Sequence, residues 1–143
     1  MQLSSNATGL TECSIRCAGE SDLSALEWDG EYSHFRRLFA DTFELTKSGQ
    51  AKIWIAETPE NYLIGQLFVS FRGARAELAD GVTRVYIYGF RVKPAYRNRG
   101  VGRRMMQAVE EDVWLVGFRM VTLNVALTNT AALRFYERLG YRV

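Results

Sequence analysis

One stretch decides the fold, Val92-Lys93-Pro94-Ala95-Tyr96-Arg97-Asn98-Arg99-Gly100-Val101-Gly102. The residues before it are apolar and aromatic on both alternating faces, which predicts a central strand over Val82–Val92 that is covered on both sides. The residues after it repeat apolar side chains at helical spacing as far as Gly117, which predicts an amphipathic helix. The stretch is therefore a strand-to-helix turn, and Lys93-Pro94 ends the strand.

Gly100 and Gly102 lie in the predicted first turn of this helix. Amide N–H groups there lack partners, and the helix dipole adds partial positive charge. Without a Cβ atom an anion can approach the backbone closely, so the turn is a candidate phosphate site. The residues are equally compatible with a glycine-capped helix start and solvated arginines. The Walker and dinucleotide patterns are both absent. Four arginines supply charge around the turn: Arg97, Arg99, Arg103 and Arg104.

Outward from this turn, the patterns predict a mixed α/β domain. A helix between strands 82–92 and 121–127 makes these strands parallel, with a right-handed crossover. Asn129 or Thr128 can cap the last helix. The remaining predicted elements are a short strand at 14–17, a short helix from 22, a helix over 31–49, a hairpin of strands 52–57 and 62–71, and a helix over 129–139.

Composition excludes several classes of protein. The 143 residues fit one domain, 1–143, with residues 1–12 expected to be flexible. A net charge of +2 from 18 basic and 16 acidic residues does not favour nucleic-acid binding. Cys13 and Cys17 form neither a disulfide framework nor a four-ligand metal site, so no metal is expected. No apolar run reaches the ~20 residues that span a bilayer, and no secretory signal is visible, so we expect a cytoplasmic protein.

Two segments resemble motifs of one family. The turn over 92–102 is similar to motif A of the GNAT superfamily of N-acetyltransferases. That motif follows a strand and reads Arg or Gln, any two residues, Gly, any residue, and then Gly or Ala. The segment 129–141 resembles the C-terminal motif of the same family, N-x-x-A-x-x-F-Y-x-x-x-G-F/Y. Both occur in order and at the expected separation, and the resemblance extends from about Ser14 to the end of the chain.

The resemblance implies a twisted mixed sheet flanked by helices, whose central parallel strands splay apart where acetyl-CoA, the co-substrate, enters. Backbone groups near Phe90, Arg91 and Val92 would pair with the pantetheine arm as an added strand does. Asn129 would contact the same arm, and Tyr136 would protonate the leaving thiolate. The helical pattern alone favours Tyr136 as a core residue of the last helix. Amides would hold the pyrophosphate at Arg97, Asn98, Arg99, Gly100, Val101 and Gly102.

The activity implied is direct transfer of the acetyl group to a primary amine of a small-molecule or peptide acceptor. A backbone N–H near Val92 would stabilise the oxyanion. The helix 32–43 and the loop 72–81 are expected to line the acceptor pocket. Glu77 and Asp80, in that loop, would attract a cationic amine unless they are simply solvated.

The sequence departs from the family pattern in two places. No acid stands on the central strand as general base, and the remaining candidates are Glu57, Glu77, Asp80 and Tyr88. The chain also stops at Val143, where members of the family usually add one or two strands. Pairing of two copies, a donated strand or a shortened chain would each account for that ending. A non-catalytic acyl-CoA-binding domain is the alternative to the enzyme, and a nucleic-acid-binding module using the arginines is a third hypothesis.

Overall fold

The computed structural model describes residues 12–143. The flexibility expected of residues 1–12 therefore falls almost wholly outside the described residues. Within them, five strands follow the predicted order: β1 Ser14–Cys17, β2 Ala51–Glu57, β3 Leu63–Ser70, β4 Arg84–Val92 and β5 Met120–Leu123. The α-helices are α1 Arg36–Lys47, α2 Val101–Val116 and α3 Thr130–Arg138, and 3₁₀ turns occupy Glu20–Glu27, Ser33–Phe35 and Pro94–Tyr96.

The strands form one mixed sheet in sequence order, β1-β2-β3-β4-β5. The first three pairings are antiparallel, and β4 pairs with β5 in parallel. A parallel neighbour needs a crossover connection, and α2 provides it. The predicted mixed α/β fold with a parallel pair is confirmed, but the pair lies at one side of the described sheet, where β5 is the edge strand.

Two apolar cores lie on opposite faces of the sheet. On one face α2 buries Val101, Met105 and Val109 against β3 and β4, and α3 adds half-buried Phe135 and Tyr136. On the other face, α1 and the 3₁₀ turn at Glu20–Glu27 pack onto β2 and β3. The members of that second core are Leu26, Trp28, Phe39, Ile53, Ile55, Leu63 and Phe68. β4 therefore sends side chains into two separate compartments.

A β-bulge interrupts β4 at its middle. Gln66 opposes Arg91 and Phe68 opposes Tyr88, so β4 has one residue more than β3 between these pairs. Gly89 lies there with φ of 61°, the left-handed conformation that favours glycine. Because of the extra residue, Tyr88 contacts the α1 core while Phe90 contacts the α2 core, although they are two residues apart.

The parallel pairing stops one residue before the bulge. Its last pair is Ile87 with Leu123, and β4 continues to Val92 with β3 as its only partner in the described chain. The prediction that the two central strands splay apart is thus met by the geometry. The predicted strand 121–127 is wrong at its C-terminal end. β5 ends at Leu123, because residues 124–127 lie beyond its last pair with β4.

Two other boundaries differ from the sequence prediction. β4 begins at Arg84 and not at Val82, because the Asp80 carboxylate accepts hydrogen bonds from the amides of Val82, Thr83 and Arg84 and holds them in a turn. The helix expected from residue 31 is α-helical only from Arg36. Across residues 12–143, no helix is both long enough and apolar enough to cross a membrane.

Candidate functional site

A cavity of about 550 Å³ lies between the start of α2 and the inner face of α3. Amides at the start of α2 form one wall, and no side chain caps this helix end. In the described chain, no carbonyl accepts from the amides of Gly100, Val101 or Gly102. Unpaired N–H groups at the positive end of a helix favour an anion. The cavity therefore has the donor set of a phosphate site.

The two glycines at this corner serve different purposes. Gly100 is the N-cap of α2 and has φ of 83°, a conformation that costs other residues energy. Gly102 is helical, and a Cβ atom there would lie 3.3 Å from Cζ of Phe135 and 3.4 Å from Cζ of Phe90. The missing Cβ of Gly102 thus admits two aromatic rings. The sequence argument explained the missing Cβ atom of Gly102 by the approach of an anion. In the structure, the packing of Phe90 and Phe135 also requires it.

The four arginines near the turn have different surroundings. Arg97 Nε donates to the Val92 carbonyl at 2.9 Å, and the Arg97 amide donates to Pro94. Arg104 Nη1 lies 3.2 Å from Sγ of Cys13. Arg103 lines the cavity, whereas the exposed Arg99 does not. Arg97 thus fixes the turn to the end of β4, and Arg103 remains to meet an anion.

A second cavity, of about 250 Å³, fills the gap between the central strands. One wall is the segment of β4 from Ile87 to Arg91, and the other is the segment Leu123–Ala126. Phe90, Asn129, Ala132 and Tyr136 line both cavities. The two form a continuous cleft from the helix start to the gap between the strands.

The unpaired edge of β4 presents one amide of particular interest. Lys93 donates its amide to the Ile64 carbonyl of β3 at 2.8 Å. Successive amides of a strand point to opposite edges, so the Val92 N–H points away from β3 and toward the open edge. This is the amide predicted to stabilise an oxyanion, and its direction suits that role.

Tyr136 lies where the two cavities meet. In residues 12–143 its hydroxyl has no hydrogen-bond partner, and the oxygen is not sealed from solvent, since the only fully buried unpaired side-chain atom described is Nε1 of Trp54. Burial of the ring raises the pKa of Tyr136 to about 12. The phenol is therefore protonated at neutral pH and able to donate a proton. The ring also contacts Phe135 and Tyr141, so Tyr136 packs as a core residue of α3, and its role as proton donor stays a prediction.

Asn129 caps α3, as the sequence predicted. Its Oδ1 accepts from the Ala132 amide at 3.1 Å. Its side-chain amide nitrogen donates no hydrogen bond within residues 12–143, and Asn129 lines both cavities. The carbonyl end of Asn129 is thus used by the helix, and only its N–H₂ end is available to a ligand.

The candidate bases are largely engaged elsewhere. Glu57 accepts from Arg16 at 2.7 Å, and Glu77 pairs with Arg75 at 2.7 Å. Three amide donors lower the pKa of Asp80 to about 2, so it cannot take up a proton near neutrality. Burial raises the pKa of Tyr88, which lines the gap between the strands. Neither cavity is lined by a carboxylate from the described chain.

The α1 face of the gap carries an aromatic wall, which consists of Trp28, Tyr32 and Phe35. The guanidinium of Arg91 stacks on Tyr32, and Tyr86 stacks on Tyr88 with ring centres 5.6 Å apart. These contacts place Tyr32 beside Arg91, and the expectation that the segment 32–43 lines the acceptor pocket stays a prediction. The loop 72–81 provides no residue to either cavity.

Several lining residues were missed by the sequence argument. Phe135 and Ala132 belong to the apolar stripe of the last helix, which is typical of core residues. Arg138 follows Phe135 by three positions and therefore shares its helix face. That spacing was the available signal for a second cation in the larger cavity.

Comparison with known proteins points to one family. A family model described as the acetyltransferase (GNAT) family matches residues 21–141. A mycothiol acetyltransferase of Streptosporangium roseum is 35% identical over 81 residues, which are 57% of this chain and 23% of the relative. A mycothiol acetyltransferase of Corynebacterium efficiens is 28% identical over 145 residues, 96% of this chain and 48% of the relative. The chain spans about half the length of these curated relatives, or less.

Solved structures share the architecture. An aminoglycoside N-acetyltransferase, AAC(6')-Iy, in complex with CoA has a TM-score of 0.72 and 25% identity, with 91% of this chain and 92% of that chain covered. The same protein in complex with a bisubstrate analogue has a TM-score of 0.76 at 20% identity, covering 93% and 92%. The second likeness shows the fold alone.

Proposed function

The chain belongs to the acetyltransferase (GNAT) family, whose model matches residues 21–141, and on that premise we propose that it transfers an acetyl group from acetyl-CoA directly to an amine. The acceptor is a small molecule or a peptide. The assignment of residues 1–143 to a single domain remains a prediction. The solved relative in complex with CoA supports the choice of co-substrate.

The continuous cleft carries the proposal. It begins at the open amides of α2, follows the unpaired edge of β4 past Phe90 and ends at the hydroxyl of Tyr136. A diphosphate suits the first part because N–H donors and Arg103 converge there. An extended amide-bearing arm suits the second part, since an open strand edge pairs with added backbone-like groups.

The residues of the chain divide the chemical work. The Val92 amide would donate to the oxygen that becomes negative during attack, and Tyr136 would give a proton to the departing sulfur. A lysine-like amine has a pKa of about 10.4, so it must lose a proton before it attacks. With no carboxylate from the described chain lining the cavities, we assign that step to water, which takes the proton from the ammonium group before the amine attacks.

Titration with acetyl-CoA tests the binding step. We expect heat on mixing and a rise in melting temperature, and a Kd that weakens when Arg103→Ala removes one cation from the cavity. The exposed Arg99→Ala is the matched control, because Arg99 does not line the cavity. If acetyl-CoA produced neither heat nor stabilisation, the proposed function would be wrong.

A non-catalytic acyl-CoA-binding domain is the second candidate. The observation in its favour is that no acid from residues 12–143 lines the gap between the strands. Thiol release from acetyl-CoA in the presence of a panel of amines separates the two functions. Binding without any amine-dependent thiol release would support the second candidate.

We also propose that the open edge of β5 pairs with a second copy of the chain. In the described residues β5 has only β4 as a partner, and a groove of about 610 Å³ runs along its other side. Met120, at the start of β5, is exposed and lines this groove. Light scattering after size-exclusion chromatography tests the dimer. Val121→Pro, on β5, should yield a monomer, because the Met120 amide donates to the Thr83 carbonyl and the Val121 amide therefore faces the open edge. The free thiols Cys13 and Cys17 support a reducing, cytoplasmic location.

A further inference from the structure

Arg91 has hydrogen-bonding capacity that the protein does not use. Its guanidinium carbon lies 4.5 Å from the ring centre of Tyr32 and 5.7 Å from that of Phe35. Among residues 12–143 it forms no ion pair. A guanidinium stacked on a ring keeps the N–H groups in its plane free for other partners. Arg91 is thus oriented in advance, with donors available.

The position of Arg91 links these donors to the reaction. Arg91 lines the same cavity as Tyr136, in the gap between the strands. The bulge at Gly89 directs its side chain to the α1 face, while Phe90 and Val92 contact the opposite core. An acceptor that reaches the gap from the α1 face therefore meets Arg91 before it meets the phenol.

The surrounding charge is positive as well. Lys93, two residues further on, lies 4.2 Å from the ring centre of Tyr62 and 5.7 Å from that of Trp28. Its Nζ is 3.1 Å from the Tyr62 hydroxyl. Cation–aromatic contacts hold both charges on this face without neutralising them.

The acids near this face make no direct contact with its two cations. Glu27 accepts two hydrogen bonds from Arg36, at 2.9 and 3.0 Å. Asp29 and Glu31, on the segment that carries the aromatic wall, form no ion pair with Arg91 or Lys93. Within residues 12–143 the guanidinium of Arg91 therefore has no carboxylate partner, and an anionic group can supply one.

The aromatic wall that holds Arg91 is itself fixed. Buried Trp28 donates from Nε1 to Oε1 of Gln66 at 2.8 Å, and its ring meets Tyr32 edge-on with centres 5.0 Å apart. A guanidinium held by a rigid wall loses less conformational entropy when it binds an anion. Bidentate contact with a carboxylate or phosphate is the pairing that its planar fork suits best.

We propose that the acceptor is an amine that also carries a carboxylate or a phosphate, and that Arg91 binds this anionic group while the amine lies at the gap. This inference rests on the proposed acetyl transfer. It makes Arg91 a specificity-determining residue on the acceptor side of the sheet, separate from the cavity at the start of α2.

Matched acceptors test the inference through thiol release. Lysine is compared with cadaverine, and O-phosphoethanolamine with ethanolamine. For the wild type we expect kcat/KM to favour the anionic member of at least one pair by about 10- to 100-fold, the value of one charge-assisted contact. The pair that responds tells a carboxylate acceptor from a phosphate acceptor. A preference for cadaverine or ethanolamine would overturn the inference.

Variants of Arg91 separate its role from folding and from acetyl-CoA. Arg91→Ala should abolish the preference and leave acetyl-CoA affinity and melting temperature close to those of the wild type, while Arg91→Lys should retain part of the preference. Arg84→Ala, at the other end of β4, is the control. A loss of acetyl-CoA affinity in Arg91→Ala would place Arg91 in the co-substrate site and overturn the inference.

A binding measurement removes the dependence on turnover. With CoA saturating its own site, inorganic phosphate should bind the wild type and bind Arg91→Ala at least about tenfold more weakly, as expected for loss of one charge-assisted contact. Equal phosphate binding by the two proteins contradicts the inference. Because CoA binding is measured in the same experiment, failure of the proposed function is recognised separately.

Discussion

The hydroxyl of Tyr136 stays protonated across the physiological range, because burial raises the pKa of Tyr136 to about 12. Such a group cannot act as a base near neutrality, but it can supply a proton to a sulfur that leaves as a thiolate. No hydrogen bond within the described residues competes for that proton. Its environment therefore suits the proposed role of proton donor, which the helical pattern alone could not separate from that of a core tyrosine.

Tyr136→Phe should reduce kcat for thiol release by about 10²–10⁴-fold, the usual contribution of a positioned general acid. Acetyl-CoA affinity and melting temperature should stay near the wild-type values, because the lost hydroxyl has no partner in residues 12–143. Tyr141→Phe is the control, since its hydroxyl bonds to Glu110 and not to the cleft. Unchanged kcat in Tyr136→Phe would remove this tyrosine from the mechanism.

The pH dependence of kcat/KM follows from the same pKa. The proton-donating form of Tyr136 is present below about pH 12 and is lost only as pH rises through that value. Between pH 7 and 10, the rate should therefore rise with deprotonation of the acceptor amine and show no descending limb. A decline in this range that disappears in Tyr136→Phe would contradict the raised pKa.

Asp80 gives a prediction about stability. Three amides lower its pKa to about 2, so its contribution to stability is present above the unfolded pKa near 3.8 and is lost as pH falls toward 2. Asp80→Ala should lower the melting temperature by several degrees at pH 5–8, and the difference should narrow between pH 4 and pH 2. Glu77→Gln, in the same loop, should have little effect. A difference that did not depend on pH would exclude the carboxylate as its cause.

Individual residues were predicted unevenly. Local chemistry predicted a cap at Asn129 or Thr128, and the structure selects Asn129. The sequence argument placed Gly100 in the first turn of the helix, whereas it is the left-handed N-cap. Phe135 and Arg138 were missed because their importance depends on what α3 faces, which is a property of tertiary packing. For Arg91 the backbone was named from the family motif, whereas the role of its side chain required the bulge.

At the scale of elements, α2 is the part of the fold on which the site most depends. Its first turn carries open amides, and its apolar stripe fixes that turn against β3 and β4. Both ends are flanked by glycines in the left-handed conformation, Gly100 with φ of 83° and Gly117 with φ of 114°. The two ends are alike in backbone strain but differ in function.

Gly100→Ala and Gly117→Ala form a matched pair that uses this likeness. Each should cost about 1–2 kcal/mol of folding free energy, because alanine is strained in the left-handed region. Only Gly100→Ala should weaken acetyl-CoA binding, by roughly tenfold, since a misplaced turn loses an amide contact of about 1.4 kcal/mol. Denaturant unfolding and calorimetric titration measure the two effects. Equal affinity loss in both variants would mean that it reflects stability alone.

Element order was predictable, and element ends were less so. Apolar alternation located all five strands and placed β4 beside β5, but it also extended β5 to Leu127. A strand ends where its partner turns away, and no pattern within 121–127 records the bulge on β4. The bulge itself was hidden because Gly89 lies inside an apolar run and differs from its neighbours only in φ.

At the scale of the whole molecule, the sheet separates two compartments that meet only at the gap. The α2 side contains the open amides, and the α1 side contains the aromatic wall with Arg91. A donor and an acceptor that enter from opposite sides can be bound at the same time. Neither cavity is lined by a cysteine of the described chain, and burial raises the pKa of Cys13, so no thiol is placed to carry the acetyl group.

Initial-rate kinetics should therefore show intersecting lines, typical of a ternary complex. Cys13→Ser and Cys17→Ser should each keep kcat within about twofold of the wild type, because sites remote from the reacting atoms contribute little to transition-state binding. Parallel lines, or a covalent acetyl group trapped on either cysteine, would show that transfer proceeds through an acetylated enzyme.

The bulge at Gly89 also has a consequence for engineering β4. The extra residue lets Tyr88 and Phe90 face opposite sides of the sheet although they are two positions apart. Deleting Gly89 would restore regular alternation, in which Phe90 and Arg91 keep the sides they already occupy. The deletion would instead remove the left-handed residue next to the last β4–β5 pair. A one-residue deletion inside a strand would thus show how much of the cleft depends on the bulge alone, without altering one exposed loop.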